Sequence, residues 1–133
     1  MSGISICTAT TPWLPLDELI PALAEAGFDG VEIALNGGSF DPEAPPNPWR
    51  NNAATIRWDG AVEEAERVKG LLDTHGLRCA AIGSYVETDD ITRVATAAEV
   101  AHALDCEFIR VRAPWYRNGI SYRAALEEAR ATY

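Results

Sequence analysis

Hydrophobic positions along the chain switch between two periods. Ile4–Thr8 is a short apolar run that reads as a strand. Leu16, Leu19, Ile20, Leu23 and Ala26 follow at helical spacing and stop at Gly27. Gly30 marks a turn into a second strand, Val31–Leu35. Residues 36–60, NGGSFDPEAPPNPWRNNAATIRWDG, are rich in Gly, Pro and Asn and read as a long loop, with a helical turn expected near Ala53–Ile56. Ala61, Val62, Ala65, Val68, Leu71 and Leu72 predict a second amphipathic helix ending at Gly76, and Leu77–Ser84 a third strand. Ile91, Val94, Ala98, Ala101 and Leu104 predict a third helix, with Thr88 or Asp89 as its N-cap. Phe108–Val111 reads as a fourth strand, and Ser121 caps a last helix, Tyr122–Ala131.

Strands alternating with amphipathic helices imply parallel strands joined by right-handed crossovers. The fold class is therefore α/β. Three architectures fit it: a small doubly wound parallel sheet, a domain completed by pairing two chains, and a (β/α)4 half of a (β/α)8 barrel. A whole barrel takes about 250 residues, and this chain has 133. It is expected to form one unit, residues 1–133. A dinucleotide fold calls for G-x-G-x-x-G after its first strand. Here that turn reads TATTPWLPLDE, which lacks those glycines.

Composition narrows the partners. Eleven Lys and Arg stand against twenty Asp and Glu, a net charge of −9. No broad basic face is then expected for nucleic acid or an anionic membrane. No run reaches the roughly 18 apolar residues that a membrane span needs. MSGISICTAT shows no basic stretch followed by an apolar one, so no signal peptide is read. Cys7, Cys79 and Cys106 each fall in apolar segments and read as buried free thiols in a reducing, cytoplasmic compartment.

LDELIPALAEAGFDGVEIAL, LLDTHGLRCAAIGSYV and AAEVAHALDCEFIRVRAPW together cover nearly the whole chain. In this order they resemble the first half of the xylose isomerase-like TIM-barrel superfamily, which includes sugar phosphate isomerases and epimerases. The resemblance favours the half-barrel over the doubly wound sheet, and it implies that the chain is part of a longer barrel. It implies a small sugar or hydroxy-carbonyl substrate and metal-assisted proton transfer. The divalent ion of such enzymes is held by Glu, Asp and His on strands of the second half, so none is expected to be bound by this chain alone. His75, at a helix end, and His102, within a helix, do not fall at strand ends. The isolated chain is accordingly expected to be inactive. A non-catalytic half-barrel that binds a metabolite or pairs with another chain, as a homodimer or with a second half-barrel, is the alternative.

Barrel parity addresses the carboxylate in EAGFDGVEIAL. Side chains of a barrel strand alternate between the helix layer and the interior. Val31, Ile33 and Leu35 suit the helices, which turns Glu32, Ala34 and Asn36 inward. The same alternation in FIRVRAPW turns Phe108, Arg110 and Arg112 inward. Ala80, Ala81, Gly83 and Ser84 on the third strand leave room between them. Glu32 is then expected to pair with Arg110 or Arg112, and a fully buried pair loses about 3–5 kcal/mol when one partner is removed. Such a pair is either an internal brace or the border of a substrate pocket. In the second case Arg112, nearer the carboxyl ends of the strands, is the better ligand for an anionic group. Trp13, Trp49, Trp58, Tyr85, Trp115 and Tyr116 fall on loops at the same face, where they stack on sugar rings or anchor the loops. The loop 36–60 is long enough to act as a lid.

Overall fold

The structure is a computed structural model that describes residues 3–38, 40–87, 89–113 and 118–132. Its elements are β1 (Ser5–Cys7), a 3-10 turn (Thr8–Thr10), α1 (Leu16–Glu25), β2 (Gly30–Asn36), β3 (Thr55–Arg57), α2 (Ala61–His75), β4 (Arg78–Gly83), α3 (Ile91–Ala103), β5 (Ile109–Arg110) and α4 (Tyr122–Thr132). All strand pairings are parallel, and the sheet runs β1-β2-β4-β5 without a reversal of order. Val31, Ile33 and Leu35 of β2 share one buried core with Leu16, Leu19, Ile20 and Leu23 of α1, Val68 and Leu72 of α2, and Val100 and Ala101 of α3. Three helices thus use one face of the sheet, and α2 packs against both α1 and α3. This is the one-sided, sequential winding of a (β/α)4 half-barrel; a doubly wound sheet divides its helices between two faces.

The helix boundaries follow local chemistry. Asp17 and Glu18 occupy the first turn of α1, where carboxylates complement the helix dipole. Gly76 ends α2 in the left-handed conformation, φ 69°, and the Leu77 amide donates back to the Leu72 carbonyl at 3.0 Å. The cap of α3 differs from expectation. It is Asp90, whose carboxylate accepts the Arg93 amide at 3.1 Å; Thr88 lies outside the described residues. Ser121 caps α4 as expected, its Oγ accepting from the Ala124 amide at 3.2 Å.

The helical turn expected at residues 53–56 is instead the approach to a fifth strand. β1 pairs only with Gly30, Val31 and Glu32, which leaves the same edge of β2 open from Ala34 onward. β3 fills it, with Thr55, Ile56 and Arg57 opposite Ala34, Leu35 and Asn36. Thr55 and Ile56 are β-branched and buried, which suits a strand better than a helix. The Thr55 hydroxyl also donates to the Ala34 carbonyl at 2.9 Å. The loop before β3 is tied by the buried Asn51. Its amide nitrogen donates to the carbonyls of Asp41, Ala44 and Pro45, and its amide oxygen accepts from the Asp41 backbone. The three cysteines are free, but Cys79 alone is buried; Cys7 and Cys106 are half-buried. No helix among the described residues is long and apolar enough to cross a membrane.

Candidate functional site at the carboxyl ends of the strands

Glu32 stands on the face of β2 opposite the helix layer, as alternation predicts. Its neighbours in register are Cys7, the last residue of β1, and Ala81 of β4. Its ion-pair partner is Arg110, the last residue of β5, whose Nη2 donates to Glu32 Oε1. β4 runs between the two strands, so the pair bridges across it. Gly83 permits the crossing. A Cβ at this position would lie 2.8 Å from Glu32 Oε1 and 3.0 Å from Arg110 Nη2.

Tyr85 completes the cluster just past β4. Its backbone is left-handed, φ 51°, which is unusual for a bulky side chain and sets the direction of the ring. The hydroxyl accepts from Arg110 Nη2 at 2.6 Å. The guanidinium carbon also lies 4.3 Å from the ring centroid, within cation–π range. Trp49 meets Tyr85 edge to face, with centroids 4.8 Å apart. Burial alone would lower the Arg110 pKa, but Glu32 and Tyr85 outweigh it and push the pKa up. Cys7 Sγ donates to Glu32 Oε1 at 3.5 Å. Burial chiefly, with the Glu32 carboxylate adding to it against a hydrogen bond from the Ala9 backbone, pushes the Cys7 thiol up. It is therefore a protonated donor, not an activated nucleophile.

These groups surround a cleft of about 360 Å³ whose walls include Cys7, Glu32, Pro48, Trp49, Tyr85 and Arg110. A second cleft of about 370 Å³ shares Tyr85 as a wall. Arg112 belongs there, 2.9 Å from Glu87. Arg93 pairs with Asp90 in the same cleft and lies 5.7 Å from the Trp58 ring centroid. The expectation that Arg112 borders one pocket with Glu32 is thus corrected: Arg110 takes that place. Arg110 turns toward Tyr85 and Glu32, while Arg112 lies one alternation further along, opposite Glu87. Trp13 is 60% exposed and does not line either cleft. Trp115 and Tyr116 lie outside the described residues.

The pair is not fully buried. Side-chain exposure is 47% for Arg110 and 27% for Glu32, so the large cost expected for a desolvated pair does not apply. Two participants were not singled out from sequence. Cys7 read as a core thiol, and Glu87 was not assigned as a partner of Arg112. The alternation Gly83, Tyr85, Glu87 opposite Arg110, Arg112 is the signal that points to Glu87.

The donor set does not fit a divalent cation. Among the described residues, no three His, Cys, Asp or Glu side chains gather where they would hold one. Glu32 Oε1 already accepts from a guanidinium and a thiol. His75 lies in the last turn of α2 and His102 is exposed on α3. No known family model matches the chain, and no curated protein does.

Proposed function

We propose that the Glu32–Arg110 cleft binds a small sugar or hydroxy-carbonyl metabolite, the substrate class that the resemblance to the xylose isomerase-like superfamily implies, and that this cleft, in place of the inactive half expected from that resemblance, itself carries out proton transfer of the isomerase or epimerase type. The observation that supports this is the placement of one guanidinium, between a carboxylate and a phenol, at the carboxyl ends of parallel strands. Barrel-type enzymes assemble their sites at that end. Trp49 and Pro48 offer an apolar wall to the C–H face of a sugar, while Glu32 and Arg110 offer an acceptor and donors to its oxygens. In this reading Arg110 stabilises negative charge developing on a carbonyl oxygen, and Glu32 accepts the proton from the adjacent carbon. Glu32 is the one carboxylate on the described walls of this cleft.

The test uses Trp fluorescence titration and proton NMR in D2O with dihydroxyacetone phosphate, hydroxypyruvate and xylulose. Saturable quenching and deuterium incorporation next to the carbonyl are expected for at least one of them. Glu32→Gln should retain binding and slow the incorporation by about 100-fold or more. Binding without incorporation would replace catalysis by a non-catalytic metabolite-binding half-barrel. Absence of both would overturn the assignment of the cleft.

A further inference from the structure

We infer that Cys79 and Cys106 form a redox-active thiol pair, which closes to a disulfide and fastens the edge strand β5 to β4. The sheet itself brings them together. Ile82 and Gly83 of β4 lie opposite Ile109 and Arg110 of β5. Cys79 lies three residues before Ile82 in β4 and Cys106 three residues before Ile109, in the segment that leads into β5, and the two thiols are near enough for Cys106 to act on Cys79. A disulfide accepts a Cα separation of about 4.4–6.8 Å, a range that segments leading into neighbouring strands, about 4.8 Å apart where paired, can meet. The two thiols have matching surroundings. Cys79 Sγ donates to the Ala81 carbonyl at 3.5 Å, and Cys106 Sγ to the Phe108 carbonyl at 3.4 Å. Both pack on the helix-side core, with Cys79 8% exposed and Cys106 half-buried. Cys7 is engaged elsewhere, with Glu32 on the opposite face.

The exposures also set the order of events. Burial first, and then the Coulombic and hydrogen-bonding influence of Cys106, push the Cys79 thiol far up from its ordinary value. Cys106 is the more accessible sulfur and reacts first. Its thiolate attacks a low-molecular-weight disulfide, forming a mixed disulfide and releasing one thiolate. Cys79 then loses its proton and attacks the Cys106 sulfur, expelling the second thiolate. Two protein thiols are oxidised, and one external disulfide is reduced to two thiols.

The bond would matter because β5 is the shortest strand of the sheet and lies at its edge. It has two residues, and it is tied to β4 by the Ile82 and Ser84 amides donating to the Phe108 and Arg110 carbonyls at 2.8 and 3.2 Å. Arg110 is one of those two residues.

The experiment incubates the reduced full chain with excess glutathione disulfide, blocks remaining thiols with N-ethylmaleimide, and maps the products by mass spectrometry. The expected product has lost two hydrogens, carries a Cys79–Cys106 link and keeps one alkylatable thiol, Cys7. Cys7→Ser should form the same link. Amide exchange at Ile82 and Ser84 should slow by about tenfold or more in the oxidised chain. A stable glutathione adduct on Cys106 with Cys79 still free would overturn the inference, as would a link through Cys7. A chain that stays fully reduced would overturn it too.

Discussion

Replacing Glu32 with Ala tests how the inner face of the sheet meets solvent. The substitution removes the ion pair with Arg110 and the acceptor of the Cys7 thiol. Exposed ion pairs are worth about 0.2–1 kcal/mol, and a hydrogen bond to a charged group about 1.5–3 kcal/mol. Here Arg110 is 47% and Glu32 27% exposed, and Arg110 retains the Tyr85 hydroxyl. Solvent screening therefore holds the expected loss to about 1–2 kcal/mol, below the roughly 3–5 kcal/mol typical of a broken buried pair. Urea denaturation at several protein concentrations measures it, as a lower midpoint with an unchanged slope. A loss above about 3 kcal/mol that grows with protein concentration would refute the reasoning, because it would mean that the pair is desolvated in solution. Association of two chains over this face is the arrangement that would do so. Phe108, 64% exposed, and the open edges of β1 and β5 are the surfaces it would cover. An unchanged midpoint would show instead that the pair positions groups without stabilising the fold.

Asn51→Ala should cost about 1–3 kcal/mol, since the side chain makes four hydrogen bonds within the loop before β3. Hydrogen exchange should rise across residues 41–51 while the β4 amides stay as protected as before; equal protection in the loop would count against this role. Stability should also fall in alkaline solution. Folding raises the Cys79 pKa above its ordinary value of 9.0, so its stabilising contribution is complete below that pH and is lost as pH rises through and beyond it. Thermal midpoints measured on either side of pH 9.0 should decline less steeply for Cys79→Ala than for the parent chain; identical slopes would show that this thiol does not govern the decline.

Periodicity carried most of the fold. Helices α1 to α3 and four of the five strands fall where apolar spacing puts them, because they pack on a common core; α4 follows from its Ser121 cap and adds no residue to that core among the described residues. β3 was hidden for a physical reason. It lies inside a Gly-, Pro- and Asn-rich stretch that shows no apolar period, and it forms because β1 stops at Cys7 and leaves part of the β2 edge unpaired. Within the site, the inward direction of Glu32 followed from alternation. The choice of Arg110 over Arg112 did not, since both have the same parity. That choice depends on the left-handed backbone of Tyr85, which supplies a second acceptor for Arg110. It also depends on Glu87, which engages Arg112 in the neighbouring cleft.

The site draws its carboxylate and its guanidinium from elements of very different length. Glu32 lies within the seven-residue β2, which is paired on both edges and shares the core with three helices. Arg110 lies on the two-residue β5, at the edge of the sheet. Glycine at position 83 lets their side chains meet across β4, and the guanidinium in turn links β5 to β2 and Tyr85. A ligand oxygen that accepts from Arg110 while sparing its bond to Glu32 adds to what holds β5 in place. A ligand that displaces Glu32 removes part of it. Affinity and the order of the edge strand are therefore coupled through one guanidinium, and the sign of that coupling depends on which of its hydrogen bonds the ligand replaces.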